Sequence, residues 1–371
     1  MSLITNHQFI TGAAQNMQSI ADESVALVVT SPPYPMIEMW DDILSAQNPA
    51  VSDCLKQGKA NEAFELMHQA LDEVWREVSR VLIPGGFACI NIGDATRTIG
   101  GHFALYPNHA RIITAFRRLG MHCLPAVLWR KQTNAPNKFM GAGMLPAGAY
   151  VTLEHEWILI FRKGGKRRFN TAEAKAKRKE SAFFWEERNI WFSDLWDFKG
   201  VKQTLSIGTR ERSAAFPLEL PYRLINMYSL YGDTVLDPFA GTGTTLLAAM
   251  ASGRNSIGYD IDPAFAHWFC QQIRTLSLKQ INALVEERIR RHQIFVDNRR
   301  AERKALKYVN THLGVPVMTM QEQEIRFYLA QSIEEKENAF QLIYKEYQAG
   351  KKQQTVSDNI QLSVSEQMSL F

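Results

Sequence analysis

The chain is poor in cysteine. Its four, Cys54, Cys89, Cys123 and Cys270, stand far apart in 371 residues. No CxxC pair exists, so the usual zinc and dithiol spacings are excluded, and four reduced thiols with no metal are expected. Apolar runs are short as well: none reaches the roughly 20 residues that cross a bilayer. The first residues, MSLITNHQFI, lack the basic-then-apolar layout of a secretion signal, so a cytoplasmic protein is expected. Neither a GxxxxGK[ST] phosphate cradle nor a full GxGxxG occurs, and no internal repeat is found. A strong charge of one sign is missing too, with a formal net charge of only +4.

What is present is a regular alternation of elements. Ala26-Leu27-Val28-Val29-Thr30 reads as a buried strand that stops at Pro32-Pro33. Residues 61–82 have helical spacing and end at Pro84-Gly85-Gly86, and residues 87–92 form a second apolar strand. A helix over 108–119, strands over 124–129 and 156–161, a helix over 217–230, a strand over 234–237, a helix over 245–252 and a strand over 255–260 come next. This alternation predicts a mostly parallel sheet with helices on both faces. Between Lys131 and about Gly208 the periodicity weakens, and glycines, basic residues and tryptophans dominate. After about Thr275 charge is dense and helix formers prevail, which predicts a helical appendage.

Charge is unevenly spread. Arg162, Lys163, Lys166, Arg167, Arg168, Lys175, Lys177, Arg178 and Lys179 stand against only Glu173 and Glu180, a run able to neutralise phosphates. It is equally readable as a solvated surface.

Two loops at strand ends carry chemistry, because ligands of open α/β sheets bind there. In Asp237-Pro238-Phe239-Ala240-Gly241-Thr242-Gly243-Thr244-Thr245, the glycines let the backbone approach a ligand and turn into a helix with free N–H groups. Asp237 can meet an ammonium, and Asp260, ending the next strand, can accept both hydroxyls of a ribose. A ligand with an amino group and a ribose but no phosphates fits, and S-adenosylmethionine is such a ligand. In Ser31-Pro32-Pro33-Tyr34 the prolines remove two donors and leave carbonyls exposed, while Tyr34 offers a flat face for a base. Ser31 Oγ and the Pro32 carbonyl could accept the two hydrogens of an exocyclic amino group. That would draw its nitrogen toward tetrahedral geometry and free its lone pair.

Together the loops resemble the amino-methylating DNA methyltransferases, which make N4-methylcytosine or N6-methyladenine. Their [DNS]-P-P-[YF] motif is matched by Ser31 to Tyr34, and their D-P-F-x-G-x-G-[ST] motif by Asp237 to Thr244. Arg80 to Gly86, Asn91-Ile92-Gly93-Asp94, Leu128 to Lys131, Glu156 to Gly164 and Ala215-Phe216-Pro217 match further pieces. The catalytic motif precedes the cofactor motif, the circularly permuted order of the β class.

The resemblance implies a Rossmann-like, seven-stranded, mostly parallel sheet and S-adenosylmethionine as cofactor. It implies a catalytic domain over 1–275, a target recognition region inserted at 132–208, and a helical extension over 276–371. Ser31, Pro32, Pro33 and Tyr34 would be catalytic; Thr30, Phe216, Pro217, Asp237, Pro238, Phe239, Gly241, Gly243, Thr244 and Asp260 would hold the cofactor. Lys131, Arg162, Lys163, Lys166, Arg167 and Arg168 would contact DNA. Double-stranded DNA is the implied partner, with a cognate restriction endonuclease as functional companion, no membrane, and a monomeric or homodimeric state. A base in a duplex cannot reach such a pocket, so flipping is implied. Serine at the first motif position favours cytosine N4; adenine N6 is the alternative. Methylation at C5 is disfavoured because it needs a nucleophilic cysteine, usually after proline, and no proline here precedes a cysteine.

An RNA or protein-amide methyltransferase, or a DNA-binding protein that keeps the fold without catalysis, are the rival readings. Two features depart from the family pattern. Gly12-Ala13 stands where Gly-Asp is common, and the segment after Thr275 lies outside the core. Arg288, Arg290, Arg291, Arg299, Arg300 and Arg303 in that segment are interleaved with Glu286, Glu287 and Glu302, so a solvated helix is as good a reading as a DNA clamp.

Overall fold

The computed structural model describes residues 3–131, 141–200, 216–337 and 339–348. Strands are β1 (Leu3–Thr11), β2 (Val25–Thr30), β3 (Leu82–Ile92), β4 (Ala95–Ile99), β5 (His102–Tyr106), β6 (His122–Arg130), β7 (His155–Arg162), β8 (Leu195–Asp197), β9 (Thr234–Asp237), β10 (Asn255–Asp260), β11 (Tyr308–Val309), β12 (Pro316–Val317), β13 (Tyr328–Lys336) and β14 (Ala339–Glu346). Helices are α1 (Asp41–Gln47), α2 (Ala50–Lys56), α3 (Ala60–Val81), α4 (Asn108–Arg118), α5 (Ala172–Glu180), α6 (Trp185–Trp191), α7 (Glu219–Tyr228), α8 (Thr244–Ala251), α9 (Pro263–Thr275) and α10 (Leu278–Ala301).

One sheet organises the molecule, in the order β13-β14-β1-β10-β9-β2-β3-β7-β6-β8. The five strands from β1 to β3 in that order are parallel to one another, and β7 is antiparallel to both β3 and β6. The predicted seven-stranded methyltransferase sheet is therefore the stretch from β1 to β6, and β8 adds to one edge. β2 is buried on both faces, as a central parallel strand must be. Leu27 and Val29 face a core made with α7, α8 and α10; Val28 faces the opposite core, with Trp75 of α3 and Phe116 of α4.

β1 lacks a clear strand signal in the sequence. LITNHQFIT carries polar residues at two of its buried positions, Thr5 and His7. Both are satisfied: Thr5 Oγ1 lies 2.7 Å from His7 Nε2, and His7 Nδ1 lies 2.7 Å from Ser256 Oγ. Burial lowers the His7 pKa to about 3, so it packs as a neutral ring.

Two expected regions need correcting. Among its described residues the extension over 276–371 carries one α-helix, α10, and a 3-10 turn at Met320–Glu322. β13 and β14 then form a hairpin, and β14 pairs with β1 and so widens the sheet. The period-two burial of Phe340, Leu342 and Tyr344 is masked by a composition rich in helix formers, which explains the difference.

The insert at 132–208 is not one body either, because β7 inside it is an interior strand of the sheet, between β3 and β6. Strand direction sorts its pieces. The β6–β7 link and the chain after β8 leave from the carboxyl end of the parallel strands; the β7–β8 link, with α5 and α6, lies at the amino end. Residues 132–140 and 201–215 of the chain fall outside the described residues. Among the described residues no helix is long and apolar enough to cross a membrane.

Candidate active site

Five chain segments converge at the carboxyl end of the sheet. β2 delivers Thr30 and then Ser31 to Tyr34, β9 delivers Asp237, and β10 delivers Asp260. β3 ends at Ile92 beside the start of β7, where Trp129 pairs with Glu156 and Ile92 with Trp157.

The cofactor-type loop is ordered by Asp237, a nearly fully buried carboxylate. Its Oδ1 accepts from Thr30 Oγ1 at 2.5 Å and from the Phe239 N–H at 3.0 Å, and its Oδ2 accepts from Thr245 Oγ1 at 2.6 Å. Burial outweighs these bonds and raises the Asp237 pKa to about 6. The Thr30 bond also ties the two loops together across 207 residues of sequence. Gly243 caps α8 at φ +81°, and a Cβ there would lie 2.4 Å from Phe269 Cδ2, so only glycine fits. Asp260 Oδ2 accepts the Gly241 N–H at 3.0 Å, and the Gly12 N–H bonds the Asp260 carbonyl, placing Gly12-Ala13 beside this acid. Phe216 is buried in the core with Val29 and Val235, directly ahead of α7, and Pro217 is also buried. Pro238 is buried; Phe239 packs edge-on against Trp75. Thr244 opens α8 with its hydroxyl 3.3 Å from that of Thr242.

The second loop is fixed by a network that no sequence motif contains. Ser31 Oγ donates to Tyr34 Oη at 3.0 Å, and Tyr34 Oη donates to Glu156 Oε2 at 2.9 Å. Asn91 Nδ2 donates to Tyr34 Oη at 2.9 Å and to Glu156 Oε2 at 2.7 Å, while Lys131 Nζ reaches Glu156 Oε1 at 3.0 Å. Burial, together with the Glu156 charge, holds the Tyr34 phenol well above its ordinary range. Pro32 is buried and Pro33 half-buried. Gly93 lines the ring of Tyr34: a Cβ there would stand 3.0 Å from Cε2. Asn91 and Glu156 each leave a trace in the sequence, a polar residue inside one apolar strand and a lone acid heading another, but nothing there pairs them.

The basic run is elsewhere. Arg167 pairs with Asp233 at the amino end of β9 through bonds of 2.6 and 3.0 Å, and Lys163 Nζ donates to the Leu82 carbonyl at the amino end of β3. Arg162 Nε is bonded to the Gly164 carbonyl. Lys166 and Arg168 lie on this same segment. The structure thus sets these five at the end of the sheet opposite the Ser31–Tyr34 loop, with three engaged in local bonds, and only Lys131 of the six expected DNA contacts reaches the site. Nor do the α10 arginines form a free basic face. Arg288 is buried on Glu187, and Arg290 and Arg291 share Glu287. In the segments that follow β4 and β6, Phe103 stacks on Tyr150 at 4.4 Å, and Leu105 and Val151, close to them in sequence, are exposed.

A parallel sheet in this strand order, carrying an ordered glycine loop beside an acid-ended strand, defines a Rossmann-like methyltransferase. Residues 25–270 match the family model described as DNA methylase, and the chain belongs to that family of N6/N4 amino-methyltransferases. It is 49% identical over 355 residues to the type II methyltransferase M.MthZI of Methanothermobacter thermautotrophicus, covering 95% of this chain and 98% of that one. It is 52% identical over 273 residues to the type II methyltransferase M.MjaI of Methanocaldococcus jannaschii, covering 71% and 89%. A putative DNA modification methylase from Thermus thermophilus, solved in complex with S-adenosyl-L-methionine, superposes with a TM-score of 0.55 at 36% identity, covering 72% and 94%. The chain is a DNA amino-methyltransferase of the type II kind.

Proposed function

We propose that this enzyme methylates the exocyclic N4 of a cytosine flipped out of duplex DNA at a specific sequence. The cofactor is S-adenosylmethionine, which supplies an electrophilic methyl on sulfonium when bound. The donor set suits it: Asp260 at the β10 end for ribose hydroxyls, the open N-terminus of α8, and the buried Asp237 for a cationic amino group. Phe216 and Pro217 would close the side nearest the methionine part.

The observation that carries the reading is the Ser31–Tyr34 loop, held rigid beside Asp237 by the Thr30 bond. Ser31 Oγ and the Pro32 carbonyl accept the amino hydrogens, and Tyr34 gives the base a face to stack on. Serine in the first motif position supports cytosine over adenine. The carboxyl-end loops, with Lys131 at their base, are the proposed DNA surface, so 131–154 and 198–216 carry target recognition.

Nucleosides from DNA of an expressing host, separated and weighed by mass spectrometry, test this. N4-methylcytosine is expected. N6-methyladenine alone would replace the base assignment, and label from tritiated cofactor entering only RNA or protein would overturn the reading. Modification-sensitive sequencing of the same DNA gives the site. Ser31→Ala is expected to cut turnover at least ~100-fold, the scale of one lost oxyanion-type contact, with cofactor affinity unchanged by calorimetry.

A further inference from the structure

A phenol has one hydrogen to give and two lone pairs to fill. On Tyr34 all three are committed: the hydrogen to Glu156, the lone pairs to Ser31 and Asn91. A carboxylate can only accept, and Glu156 ends the chain of bonds. Tyr34 must therefore point its hydrogen at Glu156. Its oxygen must then be filled by donors, and Ser31 spends its own hydrogen there. What Ser31 has left for the site is lone pairs.

We propose that Glu156 is a specificity-determining positioning residue: it sets the direction of the Glu156–Tyr34–Ser31 chain so that Ser31 meets the target base as an acceptor. The pocket then reads an amino edge, as in cytosine or adenine, and rejects an oxo edge, as in uracil, thymine or hypoxanthine. A carbonyl placed at Ser31 would oppose lone pair to lone pair, and such an unpaired polar contact is costly once the bound base shuts out water. This rests on the reading of Ser31 to Tyr34 as the loop that holds the base.

The neighbours make the direction testable. In Glu156→Gln, Lys131 is a pure donor and takes the glutamine oxygen, as it now takes Oε1. The amide NH2 is left facing Tyr34. Asn91 left in place would turn its Oδ1, which has no partner among the described residues, toward this donor and toward Tyr34 Oη, and would take the phenol hydrogen itself. Asn91→Ala beside Glu156→Gln removes that acceptor, so Tyr34 donates to Ser31 and Ser31 donates outward.

The experiment uses the full-length enzyme saturated with S-adenosylhomocysteine and duplexes bearing the site found by sequencing, with either cytosine or uracil at the target position. Fluorescence anisotropy is expected to give the wild type a preference for cytosine of at least tenfold. The Glu156→Gln, Asn91→Ala double variant should abolish or invert it, whereas Asn91→Ala alone, with the carboxylate intact, should retain most of it. Calorimetric cofactor affinity within about twofold of wild type shows that the variant is folded. If the double variant does not fold, Tyr34→Phe cuts the same chain at its middle and must also lower the preference. A folded double variant or Tyr34→Phe enzyme that keeps the full wild-type preference overturns the proposal. A wild type that methylates no amino base in DNA overturns the underlying reading instead, so the two failures are distinguishable.

Discussion

Replacing Asp237 by asparagine should make the cofactor-free protein more resistant to unfolding at neutral pH, relative to wild type, than at acid pH. The carboxyl is buried, and its pKa stands near 6 against an ordinary 3.8. The native state therefore holds this proton more tightly than the unfolded chain does. Its contribution to stability is complete below about 3.8 and is lost as pH rises through 6. Two pKa units at about 1.36 kcal/mol each make the charged carboxylate a burden of about 3 kcal/mol above pH 6. For a chain of 371 residues that corresponds to roughly 4 °C in Tm. Asparagine keeps the shape and cannot ionise. The amide adds a fixed offset of its own, so the informative quantity is how the difference between variant and wild type changes with pH. Calorimetric melts of the two apoproteins from pH 4 to 8 should diverge by about 3 kcal/mol between pH 4 and 6 and run parallel above. The same substitution should weaken S-adenosylmethionine binding more than tenfold, since a cationic amino group is what the buried charge awaits. Melts that stay parallel over the whole range would refute the assignment of the burden to Asp237.

Gly93→Ala should push the Tyr34 ring away from a Cβ otherwise 3.0 Å distant and lower kcat at least tenfold, with cofactor affinity unchanged by calorimetry. Arg167→Ala should cost about 2–3 kcal/mol in denaturant unfolding, because it strands the buried Asp233, yet leave the salt dependence of DNA binding unaltered. A reduced salt slope would return the basic run to the DNA interface. Thr30→Val should impair cofactor affinity and turnover together, since one hydroxyl serves both loops; loss of only one would show that the bond does not couple them.

Much of the core is legible in the sequence because its signals are local. An apolar β-branched run ending in Pro32-Pro33, and a strand ending in Asp237 before two glycines, mark the element and the proposed site loop together within a few residues. The elements that escape depend on distant partners. β1 hides behind Thr5 and His7, polar residues made tolerable only by Ser256 and Tyr344. β13 and β14 hide behind lysines and glutamates on an exposed face. The basic run escapes placement for a related reason: composition records charge but not which end of a sheet carries it, and that is decided by the direction of β7.

Strand direction also explains why the site needs residues that no single motif contains. Parallel strands bring only their carboxyl ends to the cofactor side, so β2, β9 and β10 each contribute their last residues and the loops beyond them. β7 runs the other way and contributes its opening residues, Glu156 among them. An acid placed there meets Tyr34 directly from across β3, with Asn91 bonded to both, and the Ser31–Tyr34 loop gains an anchor from outside its own motif. Thr30 supplies the second anchor, on Asp237. The loop is thus pinned at both ends by carboxylates of opposite task. Asp237 faces the cofactor loop and carries an unfavourable buried charge; Glu156 faces away from it and is met by the Lys131 ammonium. Filling the first with a cationic group would relieve a strain that the second does not share, so binding on the cofactor side can tighten the Thr30 end of the loop without disturbing the hydrogen-bond direction at the Tyr34 end.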